Sequence, residues 1–147
     1  MALRRMHGTR IKLLFASLMV ATIAACGGPS ALRCQPGETR QFHDLLYFGT
    51  AIGSPPVAEV SETQWQGFVD EVLSRHFADG LTVIPAAGQW KPAAGVPLRE
   101  RSYVLSLVHS GSPEVESSIS AAIDHYKRAF DQESVLRVRS PACVAFR

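Results

Sequence analysis

The residues of this chain best suited to chemistry are Gln89, Trp90, Glu100, Arg101 and Tyr103, with Tyr47 farther upstream. If the segments around 81–85 and 98–109 pair as a hairpin, these side chains would converge near the uncovered face of a sheet. A carboxylate set beside apolar walls there has its pKa raised, because burial disfavours the charged form, and it could then act as an acid or base. On this reading Glu100, Tyr103 and Gln89 are catalytic candidates, and Tyr47, Trp90 and Arg101 would face a ligand. A structural reading competes with it. Gln89-Trp90 could instead close a hairpin loop by burying the indole, with Arg99, Glu100 and Arg101 forming a solvated edge that deters strand addition.

Other chemistries find little support. The five histidines, His7, His43, His76, His109 and His125, show no HxH or HExxH spacing, and there is no CxxC, so a metal site is not expected. No glycine-rich phosphate loop and no GxSxG elbow occurs, and Ser110-Gly111-Ser112 reads as a turn into a helix cap. No cofactor is expected.

The first residues carry Arg4, Arg5, Arg10 and Lys12 with no acid, followed by the apolar run LLFASLMVATIAA. That is a secretory leader, too short to read first as a membrane span. Ile23-Ala24-Ala25-Cys26 resembles the bacterial lipobox, in which the cysteine thiol receives a diacylglycerol group. The expected division is a signal peptide over 1–25, a lipidated Cys26 and tether over 26–40, and a single domain over 41–147. Gly27 is not the aspartate that retains lipoproteins at the inner membrane. The expected location is therefore the cell envelope, on the outer membrane facing the periplasm where two membranes exist. Without the leader the charge changes sign, since 11 Lys and Arg then face 13 Asp and Glu. No basic patch remains for nucleic acid.

The elements that must position the candidate residues follow from periodicity. Trp65, Phe68, Val69, Val72, Leu73 and Phe77 recur at helical spacing. Ser61 and Gln64 form a capping box, and Asp79-Gly80 stops the helix. Strands are expected over Phe42–Ile52, from Leu81 to a limit or edge at Pro85, over Leu98–His109, and from Ser134 through Val138 with a continuation past Pro141. A second helix begins at Ser112-Pro113 and buries Val115, Ile119, Ala122, Ile123, Tyr126 and Phe130. The order β-α-β-β-α-β predicts an α+β, ferredoxin-like split sandwich, an antiparallel sheet with two helices on one face. In that topology the last strand lies beside the first. With Cys26 lipidated, Cys34 and Cys143 are the two cysteines left, and they are expected to pair. The uncovered face alternates apolar residues too, so it should receive a second copy of the chain, another envelope protein or a ligand.

The segments WQGFVDEVLSRHFADGLTV, GQW, RERSYVLSLVH and QESVLRVRSPACVAF together resemble a family of short bacterial secreted proteins catalogued as a domain of unknown function, many of them assigned as lipoproteins. The likeness runs from Asp44 to Phe146. Its recurrent elements are matched by Tyr47-Phe48-Gly49, Trp65, Asp79-Gly80, Gln89-Trp90 and Glu100, while Ala78 stands where the family favours proline. The resemblance implies no established activity. The expected function is that of a cell-envelope lipoprotein whose domain binds a partner or small molecule through its open sheet face. The alternative is a cofactor-independent enzyme of the dimeric α/β-barrel type, similar to monooxygenases or isomerases, which rests on fold analogy alone.

Overall fold

The computed structural model describes residues 32–53, 56–91, 93 and 95–147. The leader and Cys26 lie outside the described residues. Along the chain run β1 (Thr39–Gly49), β2 (Ala51–Ile52), β3 (Ala58–Glu59), α1 (Glu62–Phe68), a π-helical turn (Val69–Leu73), α2 (Ser74–His76), β4 (Thr82–Trp90), β5 (Leu98–His109), α3 (Pro113–Ala129) and β6 (Leu136–Val144). The four long strands form one antiparallel sheet in the order β4-β5-β1-β6, and β2 and β3 form a separate two-residue ladder. This is the ferredoxin-like arrangement, with the small β2-β3 ladder inserted after the first strand.

Both helices start where the caps require. Ser61 and Gln64 exchange side-chain and backbone hydrogen bonds at 2.9 and 3.2 Å, and Val60 and Trp65 are both buried beside them. Ser112 caps α3, with Pro113 at its first position. The first helix departs from the expected regular period. Its π-helical turn inserts one residue between Val69 and Ser74, so the helix ends at His76, and Phe77 packs on the core from outside it. Gly80, at φ 138°, donates its N–H to the Phe77 carbonyl at 3.1 Å and turns the chain into β4.

The core lies between the helices and one face of the sheet. Phe48 packs against Trp65, Phe68 and Tyr126, with ring centroids 4.8 to 5.7 Å apart. Trp65 stacks flat on Tyr103 at 4.1 Å. Leu46, Leu105, Leu73 and Ile119 fill the space around these rings and are fully buried.

Three strand boundaries differ from expectation. β1 begins at Thr39 and breaks after Gly49, because Thr50 turns fully inward and donates both its N–H and its hydroxyl to the Arg101 carbonyl. β4 passes through Pro85 to Trp90, which a proline permits because β4 is an edge strand. β6 starts at Leu136 and continues through Pro141 on the opposite edge. Each edge thus carries a proline that weakens it as a template for strand addition.

Cys34 and Cys143 are joined, with Cα atoms 5.3 Å apart and a sequence separation of 109. The bridge ties the start of β1 to the end of β6. In the chain-entropy account a loop of that size stabilises by up to about 4–5 kcal/mol. The double variant Cys34→Ser/Cys143→Ser is expected to unfold in urea with a stability lower by about 2–4 kcal/mol. An unchanged midpoint would show that the bridge contributes nothing.

Candidate functional site

A cleft of about 540 Å³ opens at one pole of the sheet, on the face the helices leave bare. The end of β1, the end of β4, the start of β5 and the connection from α3 to β6 build it. Its walls include Tyr47, Trp90 and Leu136, and its floor includes Gly49, Gly88, Glu100 and Ser102. The volume lies within the range of small-molecule sites. The disulfide sits at the other end of β1, so the described chain enters the domain at the pole opposite the cleft.

Glu100 lies between two strand glycines. It is directly opposite Gly88 in the β4–β5 ladder, and its carboxylate lies so close over Gly49 that a Cβ there would meet Oε1 at 2.6 Å. Glycine is therefore required for this approach, and Oε2 accepts the Ala51 N–H at 2.8 Å. From below, the buried Tyr126 hydroxyl donates to the Gly49 carbonyl at 2.9 Å. Burial pushes the Tyr126 phenol well up, and the negative Glu100 and then Tyr103 push it the same way, so it remains a donor. Gln132 donates to the Ala51 and Phe130 carbonyls at 2.6 and 3.1 Å, which fixes the α3–β6 connection against the rim.

The structure brings Gln89, Trp90, Glu100 and Tyr47 to this cleft, and Trp90 is 45% exposed within it. The indole is thus not buried in a closed hairpin loop. Tyr103 and Arg101 go elsewhere. Side chains alternate along a strand, so residues at odd separation from Glu100 point to the helix side. Tyr103 is buried against Trp65 and donates to the Glu62 carboxylate; that bond, then burial, raises its pKa and holds it as a phenol. Arg101 pairs with Glu59 at 3.1 Å. Neither residue converges with Glu100, which corrects the expectation of a shared site. Leu105 likewise faces the core, whereas Val104 belongs to the open face.

A second polar cluster, missed in the sequence, lies under the helices at the other end of the sheet. Asp44 is fully buried. It accepts from His109 Nε2 at 2.9 Å, from Arg137 Nε at 2.9 Å and from Arg139 Nε at 3.1 Å. Glu116 of α3 pairs with the same two arginines, and the Arg139 guanidinium sits 4.4 Å over the Phe42 ring. His109 Nδ1 accepts the Gly111 N–H at 3.1 Å, so its proton resides on Nε2 and points at Asp44. Asp44, His109 and Glu116 are near enough to one another to suggest a metal cage, but the two guanidinium groups already occupy their oxygens. The cluster is a closed ion-pair network that locks α3 to β1 and β6. A signal for it existed: a lone acid at a core-facing position of β1, and two arginines spaced by two in β6.

Burial alone would raise the Asp44 pKa, but the hydrogen bonds from His109 and Arg137 outweigh it and hold the carboxyl below its usual range. A depressed carboxylate contributes stability that is present above the unfolded pKa and is lost as pH falls through the folded one. Asp44→Asn is therefore expected to cost about 3 kcal/mol at neutral pH, because it removes the buried carboxylate that Arg137, Arg139 and His109 share and leaves two partly buried guanidinium groups with Glu116 alone. The gap between variant and native protein should close below about pH 4 in denaturant titrations. A gap that stayed constant down to acid would assign the loss to packing instead.

Among solved structures, the chain is similar to a phage SAM lyase in complex with S-methyl-5'-thioadenosine, at 15% identity, 78% coverage of this chain, 95% of that chain and a TM-score of 0.53. The phage SAM lyase in its apo state matches at 13% identity, 80% and 97% coverage and a TM-score of 0.50. CutA from Synechococcus elongatus with Bis-Tris matches at 14% identity, 74% and 87% coverage and a TM-score of 0.47. At such identities the likeness to the lyase is one of fold. No curated protein matches the chain. Residues 43–146 match the profile of a single family, over almost the stretch that the resemblance in sequence covered. The chain belongs to the family described as Protein of unknown function (DUF3574).

Proposed function

We propose that this protein is a cell-envelope lipoprotein whose domain binds a small molecule in the cleft at the bare pole of its sheet. The observation that carries the reading is the cleft itself, about 540 Å³ with a carboxylate on a glycine floor between aromatic and aliphatic walls. A glycine at 49 that lets a charged group lie flat over the strand, with Tyr126 and Gln132 bracing the backbone beneath and beside it, is a supported first layer. The leader and the lipobox-like Cys26 support the envelope anchor.

A second copy of the chain is the partner proposed for the rest of the open face. Ile84, Val108 and Val138 are 45 to 49% exposed there, apolar side chains on one sheet face of the kind that mark an interface.

One native mass spectrum tests these statements together. The full chain, expressed with its own leader and extracted under non-denaturing conditions, is expected to begin at an acylated Cys26, to fly as a dimer and to carry a small-molecule adduct. Gly88→Leu should lose the adduct alone, since a Cβ at position 88 meets nothing closer than the Ser102 hydroxyl at 3.8 Å and the strand can accept it. Val108→Glu should lose the dimer alone. An unmodified Cys26, a monomer, or an identical adduct on Gly88→Leu would each overturn the corresponding statement.

A further inference from the structure

The lining of the cleft also selects a class of ligand. Three carboxylates line it, from Glu100, Asp131 and Glu133, and among the described residues no Lys, Arg or His lines it. Glu100 is only partly satisfied by the protein. Oε2 takes the Ala51 N–H, while among the described residues no donor reaches Oε1, which is not sealed from solvent. A ligand that replaced the water on Oε1 would have to bring a donor, and a charged donor makes the stronger bond. An anion would meet three like charges and no counter-charge in a site partly shielded from water.

Among the described residues, no cluster of three ligand side chains stands at this pole to favour a metal ion. The groups of three His, Cys, Asp or Glu among the described residues whose ligand atoms lie close enough to hold an ion are Cys34-Glu38-Cys143 and Asp44-His109-Glu116, both away from this pole. The first is consumed by the disulfide and the second is filled by arginines. The cleft's own carboxylates, Glu100, Asp131 and Glu133, do not converge into such a group. Dispersed negative charge around a cavity with two aromatic side chains, Tyr47 and Trp90, suits a positive group carried on an apolar body. The ring faces attract a cation and accept the body it is attached to.

Resting on the small-molecule reading above, we infer that the cleft takes an organic cation, an amine or ammonium compound whose charged group meets Glu100 Oε1 and whose apolar part lies against Tyr47, Trp90 and Leu136. Recognition then divides by chemistry. Glu100 selects the charge, Asp131 and Glu133 raise the local concentration of cations, and the apolar walls select the body.

The test uses three probes that share one body and differ in charge, phenethylamine, phenethyl alcohol and 3-phenylpropionate. They are titrated into the full chain held in zwitterionic lipid nanodiscs. Binding is read by ligand-observed NMR and by the fluorescence of Trp90, since the other tryptophan, Trp65, is buried and 2% exposed. Phenethylamine is expected to bind more tightly than the alcohol by about tenfold or more, the ratio that one charge-assisted hydrogen bond supplies. 3-Phenylpropionate should bind least. Glu100→Gln keeps an acceptor for the Ala51 N–H, so it should retain the fold, remove the advantage of the amine and leave the alcohol unchanged. Equal binding of amine and alcohol, both lost in Gly88→Leu, would overturn the cation assignment and leave the cleft as the site. Binding of every probe that was indifferent to Gly88→Leu, or no binding at all, would overturn the cleft as the site and the cation assignment with it.

Discussion

Pairing of β1 with β5, from Phe42 against His109 to Gly49 against Ser102, decides what every other part of the domain can do. Because side chains alternate along each strand, this one ladder produces two surfaces of opposite character. Leu46, Phe48, Tyr103 and Leu105 fall on one side and are covered by the helices. Tyr47, Gly49, Glu100 and Ser102 fall on the other and line the cleft. A slip of one residue in register would put either Glu100 into the core or Phe48 into water, so the fold and the candidate site stand or fall together.

The two ends of that ladder are fixed in different ways. At the disulfide end, Asp44 draws His109, Arg137 and Arg139 into a buried network that also engages Glu116, and the bridge from Cys34 to Cys143 closes the chain across it. Ion pairs of this kind contribute little net stability against an apolar alternative, but they tolerate only one arrangement of partners. They thereby fix how α3 lies on the sheet. At the cleft end, the same helix delivers Tyr126 to the Gly49 carbonyl and leads into Gln132, which holds Ala51. The geometry of the floor is set by a helix that contributes nothing to the opening of the cleft except through its exit loop.

Much of this was legible in the sequence, for definite reasons. Helical periodicity with a capping box, a proline after Ser112 and two remaining cysteines at the ends of the first and last strands each translate directly into local or pairing geometry. What was not legible needed tertiary information. The π-helical turn leaves no mark in the spacing of Trp65, Phe68, Val72 and Leu73, because all four remain buried with it. The contribution of Gln132 depends on a contact across 81 residues. The grouping of Glu100 with Tyr103 was a different matter. Three residues apart on one strand, they could never share a face, and period two was sufficient to separate them. The glycine at 49 was the overlooked sign, since a glycine inside a strand often marks a place where another group approaches the backbone closely.

The functional claim is that one strand pair carries the core on one face and a binding site for a small molecule on the other. Its most direct test is an amide and indole NMR map of the isotopically labelled protein, recorded while a small-molecule extract of the cells that produce it is added. Perturbations confined to Gly49, Ala51, Gly88, the Trp90 indole and the Gln132 side chain, with the Trp65 indole and His109 silent, are the predicted result. Shifts concentrated at the Asp44 network, or spread along Val108 and Val138 with the glycine floor unmoved, would contradict the account.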